Sequence, residues 1–93
     1  MKTVWKFQKT LESIHSDMVS FSMPTDSKVL SAQNQGNRLT LWVETDLDKP
    51  EVDRYFLVSG TGQAIKENIK LRFINTVQFF DGSLVLHVFE VIE

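Results

Sequence analysis

The residues best placed to do chemistry are a glycine-rich step, Gly60-Thr61-Gly62-Gln63, with cations close behind it at Lys66, Lys70 and Arg72. It follows a strand-like run and precedes a segment with helical spacing. Backbone N–H groups of such a step can converge on an anion at a helix start. A small phosphate-bearing ligand is the natural occupant, held by Gly60, Thr61, Gly62, Gln63, Lys66 and Arg72. The spacing matches neither a P-loop nor a dinucleotide fingerprint. The plainer alternative is that two glycines permit a tight strand exit with positive φ and the lysines form a solvated face.

Other reactive side chains are sparse. The two histidines, His15 and His87, stand far apart in sequence and form no H-x-x-x-H or H-E-x-x-H pattern, and there is no cysteine. Metal ligation and thiolate chemistry therefore have no sequence basis, and no cofactor is expected. His87 lies in an apolar strand, where a hydrogen-bonded spacer is the commoner role. Ser59 and Ser83 lie beside turns, but no G-x-S-x-G elbow surrounds either. Asp46 and Asp48 share a turn with Lys49 and Pro50, which turn chemistry explains. The expectation is a binding protein with no catalytic residues rather than an enzyme.

The aromatic set is Trp5, Trp42, Tyr55, Phe79 and Phe80. In a small domain such residues mostly fill the core. Trp42 and Tyr55 differ, since each faces away from the more apolar side of its strand, where it could stack on a ligand or anchor a protein partner.

The elements that must position these groups read mainly as strands. Thr3 to Gln8 alternates, with Trp5 and Phe7 on one side. Asp17 to Met23 puts Val19, Phe21 and Met23 on one face, and Pro24 stops it. Lys28 to Asn34 and Arg38 to Thr45 flank Gln35-Gly36-Asn37 as a hairpin, with Leu39, Leu41 and Val43 toward the core. Val52 to Ser59 is a strand with Val52, Phe56 and Val58 on one face. Ile65 and Ile69, four apart among polar residues, predict one or two helical turns within Thr61 to Lys70. Arg72 to Phe80, then Asp81-Gly82 of the type I′ preference, then Ser83 to Ile92 is the clearest hairpin. Its second strand is apolar on both faces, which places it centrally in a sheet. The expected fold is mainly β, a small antiparallel sandwich or partly open barrel with one short helix. The alternative is an α+β arrangement, a sheet with the helix on one face.

The 93 residues give one β-rich domain over 1–93. Chains of this size bury about 60 to 65% of their unfolded surface, which leaves stability to be gained by pairing with a copy or a partner. A net charge of -2 with dispersed acids and bases disfavours long nucleic acid as a partner. No apolar stretch reaches the ~18 residues of a membrane span, and the start lacks a signal-peptide core. A cytoplasmic location is the expectation.

Taken together, Lys2-Thr3-Val4-Trp5-Lys6-Phe7, Met23-Pro24, Lys28-Val29-Leu30-Ser31, Leu41-Trp42-Val43, Gly60-Thr61-Gly62 and Leu86-His87-Val88-Phe89-Glu90 resemble an uncharacterised family of short phage, prophage and bacterial proteins. In that family Gly-Thr-Gly is usually followed by His, where this chain has Gln63. The resemblance implies a phage-type accessory protein in the bacterial host cytoplasm. Two roles follow from that setting, counter-defence by sequestering a nucleotide signal and inhibition of a host protein. A virion structural component is the third.

Overall fold

The structure, a computed structural model, describes residues 1–92. Seven strands run in the order β1 (Lys2–Thr10), β2 (Met18–Pro24), β3 (Lys28–Gln35), β4 (Arg38–Asp46), β5 (Glu51–Gly60), β6 (Leu71–Phe79) and β7 (Leu84–Val91). They form two antiparallel sheets, β1-β4-β3 and β2-β5-β7-β6. The sheets face each other as a sandwich that does not close into a barrel.

Period-two alternation decides what is inside. Leu39, Leu41 and Val43 of β4 meet Val19, Phe21 and Met23 of β2, Phe56 and Val58 of β5, Val77 and Phe79 of β6, and Val88 of β7 in one buried cluster. Phe21 packs edge-on against Phe56, centroids 5.5 Å apart. As expected, β7 is central, between β5 and β6.

Both expected hairpins form. Gly36 and Asn37 each take φ of 60° between the paired Gln35 and Arg38. Asp81 (φ 55°, ψ 34°) and Gly82 (φ 88°) make the type I′ turn, closed by Ser83 N–H donating to Phe80 O at 3.1 Å.

The short helix expected over 61–70 does not form. Among the described residues the one helical piece is a 3-10 turn, Leu11–Ser13; Phe80–Gly82, with φ of 52°, 55° and 88°, is the left-handed hairpin turn. Topology supplies the reason. β5 and β6 are parallel and separated by β7, so the chain leaving Gly60, opposite Leu86, must return to Leu71, opposite Val91. That path is about 20 Å from strand rise and spacing, whereas ten helical residues reach only about 15 Å. The segment instead runs irregularly, with Asn68 at φ 71° breaking any helical path. It starts over the outward side of the sheet, where Thr61 touches His87. Leu57 and Ser59 also point to that side, away from the opposite sheet, yet are buried.

The two long sides of the sandwich differ. On one, β3 and β6 each carry a bulge, at Val29/Ser31 and Phe73/Asn75. Asn75 Oδ1 accepts from Ala32 N–H at 3.0 Å, and Asn34 Nδ2 donates to Gln78 O at 3.1 Å. Side-chain amides thus bolt this seam where strand pairing stops. On the other side β1 and β2 are both sheet edges, and neither has a strand beyond it among the described residues.

Candidate functional site

The glycine step is a self-contained turn. Gln63 N–H donates to Gly60 O at 3.1 Å with Gly62 at φ 86°, the positive φ that a type II turn needs at its third position. Gln63 Oε1 folds back to accept from Gly60 N–H at 2.8 Å. One of the donors expected to meet an anion is therefore already used within the turn. With no helix behind it, the step also lacks a helix dipole. Thr61 Oγ1 lies 2.7 Å from His87 Nε2, and Thr76 Oγ1 lies 2.9 Å from His87 Nδ1. Both ring nitrogens of His87 are thereby satisfied by hydroxyls. The row Thr61–His87–Thr76 has the outline of nucleophile, base and orienting group, but the orienting group is a neutral hydroxyl rather than a carboxylate.

The structure sets Arg72 apart from the glycine step and the two aromatics, Trp42 and Tyr55, on opposite sheets. Lys66 is exposed in the crossover and makes no ion pair among the described residues. Arg72 pairs in register with Glu90, four residues along β7 from the Leu86 that faces Gly60, a separation of about 13 Å. Trp42 lies on the outward face of β1-β4-β3, half-buried under Lys6, whose Nζ is 5.9 Å from the indole centroid. Tyr55 lies half-exposed on the outward face of the other sheet. The two aromatics therefore stand on opposite sides of the sandwich and cannot share one ligand. Phe79 is fully buried and Phe80 exposed in its turn.

Arg72 instead belongs to a buried ionic cluster. Glu90, 4% exposed, sits on the core-facing side of β7. Its Oε2 accepts from Arg54 Nε at 2.6 Å and its Oε1 from an Arg72 terminal nitrogen at 2.8 Å. Arg54 also donates to Ser27 O at 2.7 Å, and Ser27 Oγ is 2.7 Å from Thr45 Oγ1. The cluster links β5, β6 and β7 to the β2–β3 turn and to β4 of the other sheet. Every acceptor oxygen of Glu90 is occupied, which makes the cluster a structural tie. Its signal in the sequence is that Glu90 continues the Leu84, Leu86, Val88 alternation: a charge on a core face requires partners.

Of the two free edges, β1 and β2, the longer is the outer edge of β1, nine residues against seven. Val4 and Trp5 are 54% and 53% exposed there. Trp5 shares the core-facing parity of Phe7 but overhangs the sandwich. Val4, Trp5, Lys6 and Trp42 line a hollow of about 330 Å³. A second hollow, about 360 Å³, opens at the end of the sandwich, floored by Val58, Leu84 and Leu86 and rimmed by His15, Asp17 and Gln63.

At the Met1 end, the ammonium bonds Asp46 Oδ1 at 2.8 Å and also Asp48. Hydrogen bonds donated by the ammonium to Asp46 and Asp48 raise the amine pKa above its usual 8.0. The bond from that amine, then the one from the Asp48 backbone, hold Asp46 below the usual 3.8. Among the described residues no group of three His, Cys, Asp or Glu side chains could hold a metal ion, and no helix is long and apolar enough to cross a membrane.

This geometry defines a small β-sandwich with one bolted seam and one open one. The family whose model matches residues 1–93 is described as a domain of unknown function, DUF7352, and the chain belongs to it. No curated protein and no solved structure matches the chain.

Proposed function

We propose that this chain is a non-catalytic protein-interaction module that takes its partner along the free edge of β1 by strand addition. The observation that supports this reading is a nine-residue edge strand with Val4 and Trp5 exposed beside an indole-lined hollow. Unpaired N–H and C=O groups along such an edge are a template for another chain, and neighbouring pockets select its side chains. In the phage or prophage setting that the sequence resemblance implies, the partner is a bacterial host protein whose activity is blocked. The test is affinity capture from host lysate with the native chain and with a Trp5→Ala, Val4→Thr variant. A partner retained by the first and lost by the second supports the reading. A partner held equally by both refutes it.

A second reading, capture of a small phosphate-bearing signal in counter-defence, draws support from Gln63 lining the end hollow with His15 at its rim and exposed Lys66 in the crossover beyond. Titration calorimetry against cyclic and linear nucleotides decides it. Binding heat that Gln63→Ala and Lys66→Glu abolish supports it, and no heat with any of them removes it.

A further inference from the structure

The lysines of β1 carry the argument from an edge to a class of partner. Lys2, Lys6 and Lys9 are its charged residues, and it has no acid. Lys6 Nζ is held by Gln35 Oε1 at 2.6 Å above the Trp42 ring, and Lys9 lies over Phe21, 5.7 Å from its centroid. Neither has a carboxylate partner among the described residues. Lys2 makes a 3.6 Å pair with Glu44, both side chains substantially exposed. Edge lysines commonly guard against pairing with copies of the same chain, and these do so. An antiparallel copy that keeps the sheet faces continuous pairs residues of equal parity: centred on Lys6 it sets Lys6 opposite Lys6, and centred on Val4 it sets Lys2 opposite Lys6. Like charges directly opposite are destabilising. The same arrangement favours a strand of opposite sign.

Strand periodicity sharpens this into a pattern. Lys2, Val4 and Lys6 share the outward face of β1, and the hollow lined by Val4, Trp5, Lys6 and Trp42 opens beside them, with Trp5 contributed from the strand's other face. We propose that the partner's docking segment is an extended acidic stretch, with carboxylates four residues apart opposite Lys2 and Lys6 and a bulky apolar residue midway, opposite Val4. This rests on the β1-edge reading above and adds to it the chemistry of the occupant.

The test uses the full chain and two blocked seven-residue peptides, threonine at most positions, leucine at the fourth, and either glutamate or lysine at the second and sixth. Tryptophan fluorescence follows binding and amide hydrogen exchange locates it. The glutamate peptide should bind about ten-fold tighter than the lysine peptide, from two pairs changing sign. A Lys2→Glu, Lys6→Glu chain should reverse that preference. Alternate β1 amides should gain protection. Equal binding of both peptides with β1 protection overturns the acidic partner and leaves the edge reading standing. Binding without β1 protection, or no binding by either peptide, overturns both.

Discussion

Glu90→Gln tests the energetic centre of the fold. The substitution keeps shape and volume but replaces a carboxylate that accepts from two guanidinium groups with an amide that has one acceptor and opposes a donor to a donor. Arg54, its side chain only 21% exposed, is left charged without a counter-ion, and Arg72, 57% exposed, can rehydrate. Removing one partner of a buried pair costs about 3–5 kcal/mol, and the exposure of Arg72 places this case at about 3. For a domain of this size that lowers Tm by about 12 °C or more. Equilibrium urea unfolding of the native chain, of Glu90→Gln, Arg54→Gln and Arg72→Gln, and of the two double variants that include Glu90→Gln closes both double-mutant cycles. The Arg54–Glu90 coupling should exceed the Arg72–Glu90 coupling, because water screens the latter. A paired Arg54→Met, Glu90→Leu variant should regain part of the loss, since a well-packed apolar pair spares both desolvation costs. A loss below about 1 kcal/mol for Glu90→Gln would refute the view that the cluster ties the sheets together.

Leu41→Ala, at a fully buried position, should cost about 2–5 kcal/mol in the same unfolding assay. Asn75→Ala removes the acceptor of Ala32 N–H across the bolted seam and should cost about 1–2 kcal/mol, with faster amide exchange at residue 32. Acetylating the amine of the 93-residue chain should remove one pH dependence and weaken an opposite one, since the Asp48 backbone bond to Asp46 remains. The amine, its folded pKa raised, contributes stability below pH 8.0 that is lost as pH rises through the raised value. Asp46, its folded pKa lowered, contributes above pH 3.8 and loses it as pH falls through the lowered value. Thermal melts from pH 2 to 10 on acetylated and native chains check both arms, and superimposable profiles would contradict the contact.

Strands were legible in the sequence because their signals are local. Alternation at Val19, Phe21 and Met23 and at Leu39, Leu41 and Val43 named the core faces, and Gly36-Asn37 and Asp81-Gly82 named the turns. The helix expected around Ile65 and Ile69 failed because a four-residue spacing cannot register that β5 and β6 are parallel with β7 between them, which demands reach that a helix lacks. Arg72 is close to Gly60 to Gln63 in sequence, but strand direction sets it beside Glu90 rather than Leu86. Glu90 was visible as a charge on an apolar face, but its partners lie 36 and 18 positions away, and only sheet order brings them together. The exposure of Trp5, despite its core-facing parity, depends on where the opposite sheet ends.

The strand order also sets how the chain reaches this state. Sequence neighbours pair only at β3–β4 and β6–β7. β1 must wait for β4, β2 for β5, and β5 for β7. Each of those closures loses loop entropy before it gains packing, so refolding belongs on the millisecond-to-second scale of sandwich domains, not the microseconds of local hairpins. The two hairpins close over the shortest loops, and they oppose each other through β3 and β6. The β1 edge proposed above to take a partner is itself a strand that can be laid down only on a hairpin already formed, so it depends on β3–β4 for its own place.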